Sequence, residues 1–104
     1  MTLHVPVARV DDFPSGTMRG VDHGGDTYVV ANVDGTFYGL EGICSHEYAE
    51  LAGGFLAGDQ VVCPLHASAF DVRTGDVLGP PATEPIAIFP VEVMEGVVYL
   101  VLNE

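Results

Sequence analysis

Positive charge is what this 104-residue chain most lacks: three basic residues stand against 15 acidic ones, for a formal net charge of -12. A nucleic-acid backbone or an anionic membrane would repel such a surface, so basic protein surfaces are the expected partners. Long apolar runs are missing as well. The longest strictly aliphatic or aromatic run, Val97 to Leu102, falls far short of the roughly 20 residues that cross a bilayer. Residues 1 to 20 lack the basic start and apolar stretch of an export signal. A soluble, unexported, cytoplasmic protein with no membrane association is therefore expected. No long apolar pattern of helical period occurs, which argues against a helical fold. Cysteine is scarce. Two residues could form one disulfide in an exported protein, whereas a reducing cytosol favours thiolate ligands or inert thiols, and the count alone leaves these open.

What is present reads as a β-rich globular domain, with 48% hydrophobic against 17% charged residues and many Val, Gly and Pro. The length suits one compact domain over residues 1–104, and no repeat, low-complexity tract or linker divides it. Thr27 to Val33 and Thr36 to Leu40 flank Asp34-Gly35, a pair that tolerates the positive φ angles of a tight hairpin turn. Ile86 to Met94 and Val97 to Leu102 meet at Glu95-Gly96 and predict a second hairpin, with Pro90 at an edge or bulge. Between them, residues 42–80 hold many glycines, both cysteines and two of the four histidines, a loop-rich insert. Within it, Gln60 to Cys63 and Ala67 to Val72 read as short strands joined by Pro64 to His66. Arg73 to Asp76 reads as a turn and Glu47 to Leu51 as one helical turn.

The chemistry-bearing residues fall in that insert. Cys44-Ser45-His46 is a C-x-H pair and Cys63-Pro64-Leu65-His66 a C-x-x-H pair. An isolated Cys is usually an inert buried thiol and an isolated His a satisfied one, but four such residues in two short loops point to a metal. Zinc is the competitor, since two thiolates and two imidazoles can close a tetrahedral site. Common zinc modules, however, set Cys beside Cys and His beside His, whereas each loop here mixes the two. A two-iron cluster with two thiolates and two imidazoles accounts for the mixing if each loop sends its Cys to one iron and its His to the other.

These loops resemble the paired cluster-binding loops of the Rieske family. Gly53-Gly54-Phe55-Leu56 before the second loop, Ala69 to Gly75 after it, and Pro80-Pro81 further on are similar to that family in order and spacing. The resemblance implies an all-β Rieske fold, with antiparallel sheets forming a basal part and a smaller cluster-binding subdomain, about residues 42–80, inserted in it. It implies one 2Fe-2S cluster held by Cys44, His46, Cys63 and His66, with Pro80 and Pro81 in a loop that shields it. The small size resembles the stand-alone ferredoxins of bacterial aromatic-ring dioxygenases (biphenyl, toluene, naphthalene or carbazole type). Such ferredoxins, expected to be monomers, take electrons from a flavoprotein reductase and pass them to the Rieske centre of a terminal oxygenase. On this reading the chain is an electron carrier and not an enzyme. Respiratory Rieske proteins carry a second Cys in each loop, where this chain has Ala49 and Leu65. Ser68 occupies the position of their serine that hydrogen-bonds a cluster sulfide, although Phe70 replaces their tyrosine.

The alternatives are the small Rieske-like subunit of a nitrite reductase and, from another class, a zinc-stabilised interaction module. His46, Ser68 and Asp71 have the residue types of a hydrolytic triad, but no nucleophile elbow accompanies them. His4 and His23 lie outside the loops and receive no role, and Asp22 to Asp26 reads as a turn. For Ser68 itself three roles stand open: cluster donor, strand cap or solvent-facing hydroxyl.

Overall fold

The computed structural model describes residues 1–44, 49–64, 67–80 and 82–103. Eleven strands form three antiparallel sheets among these residues. Sheet one runs β1 (Thr2–Arg9), β11 (Val97–Asn103), β10 (Val91–Met94). Sheet two runs β2 (Met18–His23), β3 (Asp26–Val33), β4 (Thr36–Glu41), β9 (Ile88–Phe89). Sheet three runs β5 (Phe55–Ala57), β6 (Gln60–Val62), β7 (Ala69–Asp71), β8 (Val77–Gly79).

Sheet two is the middle layer. Successive side chains of a strand point to opposite faces, and β3 uses both: Val29 and Ala31 enter a core shared with sheet three, while Val30 enters a core with Val98, Leu100 and Leu102 of sheet one. Residues Val29 to Asn32 are accordingly all buried, which is why this strand reads as a continuous apolar run instead of an alternation. Gly39 on β4 lets the layers approach, since a Cβ there would stand 2.8 Å from Leu100 Cδ1.

Both expected hairpins form. Asp34 and Gly35 have φ of 52° and 88°, and Glu95 and Gly96 have 50° and 77°, the positive angles that a two-residue turn between twisted strands requires. Gly24 and Gly25, with φ of 60° and 85°, make the turn between β2 and β3 in the Asp22 to Asp26 segment. Two expectations need correction. Ile86 to Met94 is not one strand: β9 pairs with β4 in sheet two and β10 with β11 in sheet one, and Pro90 lies at the switch between them, with an edge strand on either side as its position at an edge requires. Its missing N–H therefore falls between ladders, where none is needed, while its carbonyl accepts the Val101 N–H. Of the helical turn expected over Glu47 to Leu51, Glu47 and Tyr48 lie outside the described residues. Glu50 bridges to Ile43, and a 3-10 turn forms later, at Leu51–Gly53.

Candidate metal centre

Both cysteine loops are built on one backbone frame. Ile43 bridges Glu50 and Val62 pairs with Ala69, so each loop is closed by partners seven residues apart. Inside that closure the Cys44 N–H donates to the Ala49 carbonyl at 2.8 Å, and the Cys63 N–H donates to the Ser68 carbonyl at 2.7 Å. Each cysteine thus opens a six-residue loop whose base is pinned by its own amide. The C-x-H and C-x-x-H motifs occupy equivalent frames, with histidine third in one and fourth in the other.

The frames converge. Cys44 and Cys63, 0% and 2% exposed, belong to the same buried cluster as Leu51, Phe70 and Ala82. Leu56, Val61, Phe70 and Val77, cross-strand neighbours in sheet three, pack into that cluster from one side. Cys44 and Cys63 are not joined by a disulfide. Two buried thiols from separate loops in one apolar enclosure are a fitting soft donor pair for iron. Of the other predicted site residues, His46, His66 and Pro81 lie outside the described residues. Among the described residues no group of three His, Cys, Asp or Glu comes together, so none offers a rival site there.

Ser68 is fully buried, which excludes a solvent-facing role, and its Oγ accepts the Ala82 N–H at 3.0 Å. A hydroxyl that accepts one bond retains its proton for donation. Pro80 stands exposed in the turn after β8. Ala67, directly before Ser68, has a φ of 56°, a left-handed conformation that costs an L residue roughly 1–2 kcal/mol. Neither Ala67 nor Ala82 carried any sequence signal. One is strained by the loop frame and the other contributes only a backbone N–H. The Gly53-Gly54 motif, by contrast, has a steric reason at its second position, where a Cβ would lie 1.9 Å from the Val62 carbonyl oxygen, one residue before Cys63.

Two of the three arginines are held by the protein's own oxygens. Arg73 pairs with Asp59, and Arg19 donates to the Asp12 carbonyl beneath Phe13. Asp59 and Arg73 sit at the turns that join β5 to β6 and follow β7, the end of sheet three opposite the Cys63 loop. No helix among the described residues is long and apolar enough to cross a membrane.

Comparison with known proteins agrees with this architecture. The family described as Rieske [2Fe-2S] domain matches residues 4–90. The chain is 37% identical over 89 residues to the ferredoxin component of naphthalene 1,2-dioxygenase/salicylate 5-hydroxylase systems from Ralstonia sp, covering 86% of each chain. It is 40% identical over 85 residues to the biphenyl dioxygenase ferredoxin subunit of Pseudomonas sp. (strain KKS102), covering 81% of this chain and 78% of the relative. A chain in the complex of reduced oxygenase and oxidized ferredoxin in carbazole 1,9a-dioxygenase superposes with a TM-score of 0.90 at 40% identity, covering 93% of this chain and 91% of that one. These relatives are ferredoxins, electron-carrier components of dioxygenase systems and not the catalytic enzymes.

Proposed function

Because the chain belongs to the Rieske [2Fe-2S] domain family, we propose that Cys44, His46, Cys63 and His66 hold one 2Fe-2S cluster. The protein then shuttles single electrons from a flavoprotein reductase to the Rieske centre of a terminal aromatic-ring oxygenase. The observation that carries this reading is the pair of equivalent loop frames, each opened by a buried cysteine and both facing one apolar cluster. The near-complete coverage of stand-alone ferredoxins supports the carrier role. Residues 1–104 form one domain on this reading, with about 42–80 as its cluster-binding part.

The bound cluster supplies a one-electron couple, and replacing two thiolates by two imidazoles raises its potential relative to an all-cysteine cluster. The chain's own residues do the rest. Cys44 and Cys63 would supply thiolates and His46 and His66 imidazoles to the cluster, and a donor set filled in this way by the protein would suit electron transfer rather than substrate binding. Leu51, Phe70 and Ala82 surround the cysteines with apolar atoms and limit water at that end. The acidic surface directs encounter with basic patches on reductase and oxygenase.

Visible absorption and EPR of the reduced protein test the cofactor, since zinc is colourless and has no redox chemistry. Cys44→Ser, Cys63→Ser, His46→Ala and His66→Ala should each abolish the Rieske signal. A full-strength native signal in any of them would refute the ligand set. Reduction by a flavoprotein reductase and reoxidation by a terminal oxygenase, followed in stopped flow, test the direction of transfer. Failure of a loaded protein to pass electrons between them would refute the shuttle role.

A further inference from the structure

The two loop frames differ at their closing position. The first ends on Ala49, whose methyl packs against the buried cluster, whereas the second ends on Ser68, a fully buried hydroxyl. Its oxygen accepts the N–H of Ala82 at 3.0 Å, and Ala82 is itself buried in the cluster that holds Cys44 and Cys63. The sequence around Ala82 sharpens this contact. Proline has no N–H, so in Pro80-Pro81-Ala82 the Ala82 amide is the single backbone donor, and it goes to Ser68. The same Ser68 closes its own loop by accepting the Cys63 N–H on its carbonyl. One residue therefore ties the second cysteine loop to the crossing that follows β8.

We propose that Ser68 is a positioning residue that latches the chain after β8, at Ala82, onto the Cys63 loop and so holds Ala82 in the apolar enclosure shared with Cys44 and Cys63. The proposal rests on the cluster reading above, but the latch is a contact between protein groups. It uses the oxygen as acceptor. Donation of the hydroxyl proton to the cluster is a separate role that the same group can serve at once. Without the oxygen, the buried Ala82 N–H has no acceptor, and the least costly relief is for the backbone at Ala82 to move away and admit water.

The test is Ser68→Ala in the cluster-loaded protein, with hydrogen exchange resolved at Ala82 by mass spectrometry and iron release to a chelator followed under anaerobic conditions. The variant is expected to keep its EPR line shape and to exchange Ala82 at least tenfold faster than wild type. Amides of Val29 to Ala31 and Val98 to Leu102 should stay unchanged, and iron should be released several-fold faster. Ser68→Thr, which keeps the oxygen, should restore both rates. Unchanged exchange at Ala82, or an acceleration shared equally by the core strands, overturns the latch, and so does a shifted potential with exchange unaltered, which would leave only the donor role. Should Ser68→Ala take up no iron, the wild type decides. An Ala82 amide exchanging as fast as an exposed one refutes the proposal, and one slowed at least a hundredfold supports it. A wild type with no Rieske EPR signal would instead sink the cluster reading, a result distinct from any of these.

Discussion

Gly54→Ala puts the structural account of the Gly53-Gly54 motif at risk. An added Cβ at Gly54 would stand 1.9 Å from the Val62 carbonyl oxygen, where real Cβ atoms essentially never come closer than 3.0 Å, so β5 and β6 must part by about 1.1 Å. The obstacle is backbone, which no side-chain rotation can clear. Overpacking of this kind costs about 1–3 kcal/mol, and loosening the three-pair ladder Phe55↔Val62, Leu56↔Val61, Ala57↔Gln60 adds about 1 kcal/mol for each hydrogen bond lost. A loss of about 3 kcal/mol is expected, on the order of a hundredfold in the folded-to-unfolded ratio. Because Val62 precedes Cys63, iron content should fall with it. Gly53→Ala is the internal control: its Cβ would meet nothing nearer than Pro64 Cγ at 3.8 Å, an ordinary contact, and stability should stay within about 0.5 kcal/mol. Urea denaturation followed by far-UV circular dichroism, with iron determined on the same samples, reads both quantities. Equal stability of the two variants, or a Gly54→Ala protein loaded like wild type, would refute the reasoning.

Ala67→Gly releases the left-handed strain at φ 56° and should raise the urea midpoint of the cluster-loaded protein by the equivalent of about 1 kcal/mol; an unchanged or lower midpoint would mean that Ala67 does not hold this conformation. Asn32→Ala removes the bonds from Asn32 to the Phe13 carbonyl and from the Gly35 N–H and should cost about 2 kcal/mol in thermal or urea denaturation while leaving the EPR spectrum intact. With a net charge of -12, electron-transfer rates to a reductase or oxygenase should fall as salt rises, since attraction is screened within about 10 Å at 0.1 M. A level or rising rate in stopped flow would indicate apolar docking. Redox titration of Ser68→Ala should show a potential lower by roughly 40 mV if the hydroxyl also donates to the cluster, as a hydrogen-bond difference of about 1 kcal/mol implies.

The sequence announced turns and ligands more clearly than it announced layers. Asp34-Gly35 carries its geometry in its chemistry, since both residue types accept positive φ, and in Glu95-Gly96 the glycine carries it alone; both hairpins form where expected. β1 carries no comparable punctuation. Thr2 to Arg9 is half apolar and bounded by no turn pair, and its place beside β11 depends on a partner some 90 residues away. Pro90 was read as a feature of one strand because local sequence does not reveal that its two flanks pair with different sheets. At the site, the cysteines and histidines were visible as residue types at telling spacings. The equivalence of the loop frames was not, because it resides in backbone bonds from Cys44 to Ala49 and from Cys63 to Ser68 that any side chain could accompany.

The burial of β3 on both of its faces has a consequence for the protein without its cluster. Val30 belongs to the core with Phe13, Val98 and Leu100, a group that includes neither cysteine, whereas Val29 and Ala31 belong to the core that includes Cys44 and Cys63. Removing iron withdraws support from one side of this shared wall only. Unloading should therefore resemble the loss of one storey from a building whose other storey stands. Sheet three and its loops would loosen while the long ladder of β1 on β11 kept its slow-exchanging amides. Such a half-ordered apoprotein would present β3 and β4 as a preformed seat against which sheet three could refold as iron and sulfide are inserted.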